Sequence, residues 1–584
     1  MSDPLSILKQ YWGYTAFKPM QGEIIASVLA SKDTLALLPT GGGKSICYQV
    51  PALAMEGICL VITPLVALMK DQAGRLRQQQ ISSTFIHAAM TWKETTAALK
   101  EAVNGRVKFL YVSPERLQSG QFRDYAQHMD ISLMTVDEAH CISEWGYDFR
   151  PAYLKIASFR ECFPDTPVLA LTATATARVI QDIQEKLQFR AENVFRHDFS
   201  RKNIAYSVLQ EENKPYRLLT LLERIPGSSL IYCRSRKQTL ETAETLRKSG
   251  IAVAYYHAGL SPGQRSIIQD EWTAGQLRVM VCTSAFGLGI DKPDVRCVIH
   301  YDIPDSLEAY FQQSGRAGRD GGPAEAVLLF HPGEFTTIRK NMERRYPSPE
   351  GIRKVYQAVV NYLQVPAGSG EMQYYDFDPL HFSTIFGMNV LMVQQVMKML
   401  EQEGVCTLSE RIYLPSRVRF SVDRATLEQF EKDHPFLEWL TQVLLRTYPG
   451  VFDDHTPVQE KQISRKLGIK EEEIIRQLHQ LDQFHIIHYL PCRNTPQLCF
   501  LRERVPVGQL NLDIRRMQQQ KENSALRIQA VINYATGNVC RNQQLMAYFD
   551  QNDCPACGIC DICRGKNPSR QNNLLWVTGN EHHG

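Results

Sequence analysis

From residue 34 onward the chain alternates short apolar runs with longer stretches whose apolar residues recur at helical spacing. The β-rich runs are Thr34 to Leu38, Cys59 to Thr63, Phe109 to Val112, Leu133 to Val136 and Val168 to Leu171. Each is nearly continuous in apolar residues, as strands buried on both faces are, and each leads into a helix-compatible segment. The rhythm restarts after about residue 205, with Ser229 to Tyr232, Ala252 to Tyr256, Val279 to Cys282, Cys297 to His300 and Ala326 to Phe330. The pattern predicts two α/β lobes, each a parallel sheet covered on both faces, with a hinge near Phe199 to Lys214. Ligands of such sheets collect beyond the carboxyl ends of the strands, so chemistry is expected in the loops that follow these runs.

Beyond residue 342 the strand rhythm gives way to helical stripes. In Phe382 to Val405, the residues Ile385, Phe386, Val393, Val396, Leu400 and Val405 form one stripe, followed by β-like runs at Ile412 to Leu414 and Val418 to Ser421. In Lys461 to Tyr489, Ile463, Leu467, Ile469, Ile474, Ile475, Leu478 and Leu481 form another, with Gly468 at the turn. Each predicts a winged-helix-like unit. Ile486 to Leu490 and Leu498 to Leu501 predict a hairpin whose tip, Pro491 to Pro496, could wedge a duplex open, although such units also dock proteins. Arg515 to Ala530 predicts a charged helix. The expected division is therefore two lobes at 1–204 and 205–342, a mostly α winged-helix-like insert at 343–510, a cysteine-bearing module at 511–566 and a tail at 567–584.

Two loops carry the densest chemistry. Pro39-Thr40-Gly41-Gly42-Gly43-Lys44-Ser45 is a glycine-rich turn whose NH groups and ammonium can surround a triphosphate, and Asp137-Glu138-Ala139-His140 supplies a carboxylate for the accompanying magnesium. The strict form of the first pattern has glycine where Leu38 stands. The apolar run into Asp137, which places it at the end of a buried strand, compensates for that departure. Together they point to a nucleotide hydrolase.

These loops do not stand alone. YTAFKPMQ from Tyr14, TPLVALMKDQ from Thr63, DEAHCISEWGYDFRP from Asp137, LTATAT from Leu171, AFGLGIDKPDVR from Ala285 and QQSGRAGRDG from Gln312 occur in order. With them, residues 1 to about 340 resemble the paired RecA-like lobes of superfamily 2 helicases, specifically the RecQ family of DNA helicases. The aromatic-rich run after DEAH separates this family from RNA helicases.

Within that resemblance the roles follow from side-chain chemistry. Lys44 suits the β and γ phosphates, Ser45 and Asp137 suit Mg²⁺, and Glu138 suits orientation or deprotonation of the attacking water. Thr40, Gly41, Gly42 and Gly43 complete the phosphate cradle for ATP. Tyr14 can stack on adenine and Gln21 can read its edge. Lys18 stands where the family usually has arginine and so lacks a planar guanidinium for stacking. From the second lobe, Arg319 is the expected arginine finger, with Arg316 on the γ phosphate or Glu138 and Gln312 beside it. Trp145, Phe149 and Arg150 are expected to sense single-stranded DNA and report to His140 and Glu138, against the ordinary reading in which such aromatics pack into a core. Thr172 and Thr174 are expected to link nucleotide state to lobe position. The segments around Thr63, Ser113 to Arg116 and Arg234 to Arg236 are expected to grip phosphates.

Composition narrows the setting. With 584 residues, 44% hydrophobic and 22% charged, the chain reads as an ordinary multidomain globular protein, and a net charge of +3 permits nucleic-acid contact without demonstrating it. No apolar stretch approaches the roughly 20 residues of a membrane span, and Met1-Ser2-Asp3-Pro4 carries no signal region, so a cytoplasmic protein is expected. Most of the 15 cysteines lie singly in apolar runs. Cys540, Cys557, Cys560 and Cys563 are clustered, with Cys554 spare, and their spacing suits a tetrahedral zinc site or, as an alternative, an iron–sulfur cluster. They also resemble the RecQ zinc module, which implies structural Zn²⁺.

In the familiar family order that module directly follows the second lobe and precedes the winged helix. Here about two hundred residues intervene, and no appended HRDC domain is expected. The resemblance implies an ATP-dependent helicase moving 3′ to 5′ on DNA, single-stranded and forked, in repair, replication and recombination. A single-strand-binding protein and repair proteins are candidate partners, no membrane is expected, and a monomer is the favoured state. The rival readings are a DNA-stimulated translocase that does not separate strands and a non-catalytic DNA-binding scaffold.

Overall fold

Strands that are apolar on both faces must be covered on both faces, and in this chain they line up in parallel to achieve it. The architecture comes from a computed structural model, which describes all residues except 1–2, 40, 65, 88–89, 91, 144, 147–148, 287–291, 372, 409–415, 453–454, 492–496 and 566–584. The first lobe contains β1 (Thr34–Leu37), β2 (Ile58–Ile62), β3 (Ser83–Ile86), β4 (Phe109–Val112), β5 (Ile131–Val136), β6 (Val168–Thr172) and β7 (Val194–Arg196). They form a seven-stranded parallel sheet in the order β3-β4-β2-β5-β6-β1-β7. Every residue of β1, β2, β4 and β6 is buried. The edge strands β3 and β7 escape an apolar-run reading because they are half-exposed and carry Thr84 and Arg196.

The second lobe contains β8 (Ile204–Gln210), β9 (Ser228–Tyr232), β10 (Val253–Tyr256), β11 (Val279–Cys282), β12 (Val295–His300) and β13 (Ala324–Phe330), parallel in the order β10-β11-β9-β12-β13-β8. Strand β8 pairs with β13 along its full length, from Ile204 opposite Ala324 to Gln210 opposite Phe330. The hinge expected at Phe199 to Lys214 therefore includes the sheet strand β8, and the connector outside the two sheets is residues 197–203.

The chain divides into two compact units, Met1–Met342 with Gln518–Gly584, and Glu343–Met517. The second has two small antiparallel sheets. In one, β14 (Tyr374–Asp376), β15 (Cys406–Leu408) and β19 (Gln497–Phe500) are ordered β14-β19-β15, and in the other, β16 (Arg417–Phe420), β17 (Thr456–Pro457) and β18 (Ile487–Leu490) are ordered β17-β16-β18. Two expectations are corrected here. The run Val418 to Ser421 contributes β16 to the second helical stripe and not to the first, since its partners are β17 and β18. Among the described residues Ile486 to Leu490 and Leu498 to Leu501 do not form the expected hairpin, because β18 pairs with β16 while β19 pairs with β14 and β15. Of its expected tip, Pro491 to Pro496, residues 492–496 lie outside the described residues, as does the run at 412–414. Each sheet seals its own core. Val393, Val396 and Leu400 pack with Leu498 and Phe500, whereas Leu440, Leu444, Ile474 and Leu478 pack with Val418 and Ile487. Among the described residues no helix is long and apolar enough to cross a membrane.

One buried ion cluster fixes the first sheet at the base of β1. Asp33 accepts from Arg160 Nη2 at 2.5 Å, Arg190 Nε at 3.0 Å and the backbone NH of Val168 at 3.0 Å. Burial works to raise the Asp33 carboxyl, but Arg190, Arg160 and the NH groups outweigh it and hold it below its ordinary value of 3.8. A lowered carboxyl contributes stability above that ordinary value and loses it as pH falls further. Asp33→Ala leaves Arg160 buried without its partner and is expected to cost about 3–5 kcal/mol in chemical denaturation of the first lobe at neutral pH. The difference from the parent should shrink when the same measurement is made below pH 4.

Candidate functional site

The phosphate loop forms where β1 ends. Gly41 and Gly43 have φ of +83° and +78°, which favour glycine, and a Cβ on Gly42 would stand 2.9 Å from the Pro39 carbonyl oxygen. The loop runs into the helix Ile46–Ala54, with Ser45 as its N-cap, so the helix dipole favours an anion there. Thr40 lies outside the described residues. Strand β5 ends two strands away in the sheet order and delivers Asp137 and Glu138 to the same crevice.

Glu138 is the hub. It adopts φ +49°, a left-handed conformation unusual for a side-chain-bearing residue and frequent where active sites store strain. Its Oε1 lies 3.7 Å from Lys44 Nζ and its Oε2 3.4 Å from His140 Nδ1. The same His140 nitrogen is 3.0 Å from Thr172 Oγ1, which donates to the Thr174 carbonyl at 3.1 Å. Burial works to raise Glu138, but Lys44, His140 and Arg316 outweigh it and hold the carboxyl below its usual range. Burial and then the charge of Glu138 drive Asp137 the other way, up to about 6, with Lys44 pulling against them. A cation beside Asp137 would reverse that rise, as a metal ligand requires.

The second lobe closes the other wall. After the helix Leu307–Ser314, Arg316 is buried, and its Nε has no hydrogen-bond partner among the described residues. The Arg319 side chain lies against the loop, its Cγ 3.5 Å from the position a Gly41 Cβ would take. The resulting cleft, about 820 Å³, is lined by Tyr14, Lys18, Gln21, Gly41, Gly43, Lys44, Ser45, Asp137, Glu138, Gln312, Arg316 and Arg319. Tyr14 is 58% exposed, with a face available for stacking. Lys18 and Gln21 are engaged with the loop. Lys18 Nζ donates to the Gly41 carbonyl at 3.0 Å, and Gln21 Nε2 donates to the Gly42 and Gly43 carbonyls at 3.2 and 3.1 Å.

The aromatic loop is braced by partners that no motif announces. Arg178 stacks over the Trp145 ring, Ser143 Oγ donates to Asp182 at 2.6 Å, and Arg527 donates to the Trp145 carbonyl. Arg178 and Asp182 belong to the helix Ala177–Lys186, whereas Arg527 is more than three hundred residues away in sequence, so spacing gives no signal for it. Trp145, Phe149 and Arg150 are half-buried, and Glu144, Tyr147 and Asp148 lie outside the described residues, as does 287–291 of the AFGLGIDKPDVR run. Of the expected phosphate grips, Arg116 donates to the His87 and Met90 carbonyls, and Arg234 to that of Ile303. The buried hydroxyls of Thr63 and Ser113 have no partner among the described residues.

At the far end, the four sulfurs of Cys540, Cys557, Cys560 and Cys563 lie within 4.8 Å of one another. Cys557 donates to Cys560, which pulls the Cys560 thiol down and pushes Cys557 up, and burial raises Cys563 to about 11. Four thiolates this close need a cation, and an all-sulfur set of this size suits zinc. Cys554 is outside the quartet, its sulfur 3.2 Å from Asn542 Nδ2.

Known proteins agree with this geometry. The profile for DEAD/DEAH box helicases matches residues 18–183, that for the helicase conserved C-terminal domain 213–321, that for the RecQ helicase winged-helix domain, Bacteroidota, 418–491, and that for RecQ zinc-binding 504–564. A Bacillus subtilis protein, the probable ATP-dependent DNA helicase RecS, is 40% identical over 356 residues, which are 60% of this chain and 72% of that protein. The chain belongs to the RecQ family of superfamily 2 helicases. The ATP-dependent DNA helicases RecQ of Pasteurella multocida and Haemophilus influenzae are 41% and 40% identical over 348 residues, 59% of this chain. The chain spans about half the length of these two relatives, 55% and 56%. In this RecQ chain the lobes form an ATP and Mg²⁺ site of the DEAD/DEAH type, and the cysteine quartet is a Zn²⁺ site. The winged-helix match precedes the zinc match, the reverse of the familiar order.

Purified protein is expected to carry stoichiometric zinc by elemental analysis. Cys560→Ser should lose it and unfold at lower denaturant, a structural zinc site contributing on the order of several kcal/mol of folding energy.

Proposed function

We propose that this chain is an ATP-dependent DNA helicase that hydrolyses ATP between its lobes and moves 3′ to 5′ along one strand of forked DNA in repair, replication and recombination. The observation that carries this reading is the two-sided cleft, with Lys44, Ser45, Asp137 and Glu138 on one wall and Gln312, Arg316 and Arg319 on the other. Lys44 holds the β and γ phosphates, Ser45 and Asp137 hold Mg²⁺, and the negatively charged Glu138 orients the attacking water. When bound, Mg²⁺ neutralises charge building on the phosphate oxygens. Arg319 and Arg316 meet that charge only when the lobes close, so hydrolysis and lobe movement are coupled. Tyr14, Lys18 and Gln21 receive the adenine, which first requires Lys18 and Gln21 to release the loop carbonyls.

Residues 1–204 and 205–342 are then the motor. The loop bearing Trp145, Phe149 and Arg150 reports bound single strand to Glu138 through His140. The insert 343–510 contacts the duplex, and 511–566 is the zinc module. The relatives' printed names, ATP-dependent DNA helicases, support the substrate. The protein works as a monomer in the cytoplasm, with a single-strand-binding protein and repair proteins as partners.

Lys44→Ala removes the point charge on the phosphates and is expected to lower ATP turnover by about 10²-fold or more and to abolish unwinding of a 3′-tailed fork. A gel assay with 3′-tailed and 5′-tailed forks checks both strand separation and polarity. Parent protein that consumes ATP on DNA without separating either fork contradicts the helicase reading.

A further inference from the structure

The helix Leu307–Ser314 faces two ways. Gln312 lines the nucleotide cleft, while its other sides are met by the C-terminal module. Tyr534 donates to the Tyr310 hydroxyl at 3.5 Å, Arg527 Nε lies 3.9 Å from Glu308 Oε1, and the Phe549 and Phe311 ring centroids are 5.2 Å apart. The module that carries the zinc cysteines thus backs the helix that leads into Arg316 and Arg319.

The same module also holds the connector between the lobes. Phe199, fully buried, packs its ring 5.8 Å from that of Phe549. The Gln551 amide binds the connector backbone in both directions, Nε2 donating to the His197 carbonyl at 3.0 Å and Oε1 accepting from the Phe199 NH at 3.2 Å. Arg196 donates to the Phe549 carbonyl. Asp550 accepts from the Ala177 NH at 2.8 Å, capping a helix whose own N-cap residue, Thr176, makes no side-chain capping bond. Three consecutive side chains reach these targets because the helix Arg541–Tyr548 ends in a reversed turn. In that turn Asp550 NH donates to Ala547 at 3.1 Å, Gln551 NH donates to Met546 at 2.8 Å, and Asp550 sits at φ +58°, which aspartate tolerates. The segment is anchored from the metal side as well. Asp561, between Cys560 and Cys563, is gripped by Arg541 at 3.0 Å and accepts from the Val208 NH of β8 at 3.0 Å.

Hinge residues absorb the backbone rotation when two domains close. Here the connector's backbone groups are tied to a module that also holds the second lobe's cleft-forming helix. We propose that Phe549–Gln551 is a clasp on the interlobe connector, a set of positioning residues that fixes the range of lobe spacing and so the approach of Arg316 and Arg319 to the nucleotide. This proposal rests on the reading of the cleft as an ATP hydrolase.

The test uses the full chain with Gln551→Ala and, separately, Phe549→Ala, each with a fluorophore pair reporting the distance between the lobes. For Gln551→Ala, zinc content and thermal midpoint should match the parent, and affinity for a non-hydrolysable ATP analogue should stay within about twofold, while kcat at saturating single-stranded DNA falls about tenfold. In both variants the lobe-distance distribution should broaden. A kcat within about twofold of the parent with an unchanged distance distribution overturns the clasp, and so does a rise in KM at constant kcat, the mark of a direct nucleotide contact. The distance arm needs no turnover. A parent protein that hydrolysed no ATP would sink the reading of the cleft, and the distance distributions would still decide the clasp.

Discussion

Glu138 is a carboxylate that the fold buries at the meeting point of several motifs, and its charge must be matched there or be lost. Lys44 from the phosphate loop and His140 from its own turn flank it, while Arg316 contributes from the other lobe. A buried charge deprived of a partner costs several kcal/mol, so the positions of the loop, the turn and the second lobe are not independent. His140 extends the linkage to Thr172 and Thr174 at the end of β6. On the proposed function, nucleotide entering this cleft would compete with Glu138 for Lys44 and Arg316.

The parallel sheets make that arrangement available. Because all strands of a lobe point the same way, their carboxyl ends and following loops gather on one edge, which brings the loops after β1 and β5 together although about ninety residues separate them. Two such edges facing each other make the cleft, and residues 197–203 run between β7 of one sheet and β8 of the other. The C-terminal module, returning after an intervening unit, adds a second tie through Phe549, Gln551 and Arg527. Its zinc cysteines Cys560 and Cys563 flank Asp561, which accepts from the Val208 NH of β8, so bound zinc would steady the end of the proposed clasp as well as a local fold.

Much of this was legible in the sequence for physical reasons. Central strands such as β2 and β6 are continuous apolar runs because both faces are covered, and the phosphate loop and acidic turn are contiguous, so their chemistry is written in order. The edge strands β3 and β7 were not legible, since they are only half-covered and need no apolar run, whereas the edge strand β10 falls in the expected run Ala252 to Tyr256. Strand β8 was read as hinge, although its pairing with β13 makes it sheet. The hairpin failed because nearness along the chain does not decide pairing. Strands β18 and β19 are close neighbours in sequence, yet each completes a different sheet with distant partners. Arg178, Asp182, Arg527 and Gln551 were invisible for the same reason, each acting on a segment far from it in sequence.

On the proposed function, chemistry at Glu138 runs at full pace only when a bound strand and both lobes cooperate. Steady-state ATP turnover of the purified full chain, titrated with single-stranded DNA, tests it most directly. A saturable rise of about tenfold or more is expected, because closure completes the catalytic set. An unchanged rate across the titration would contradict it.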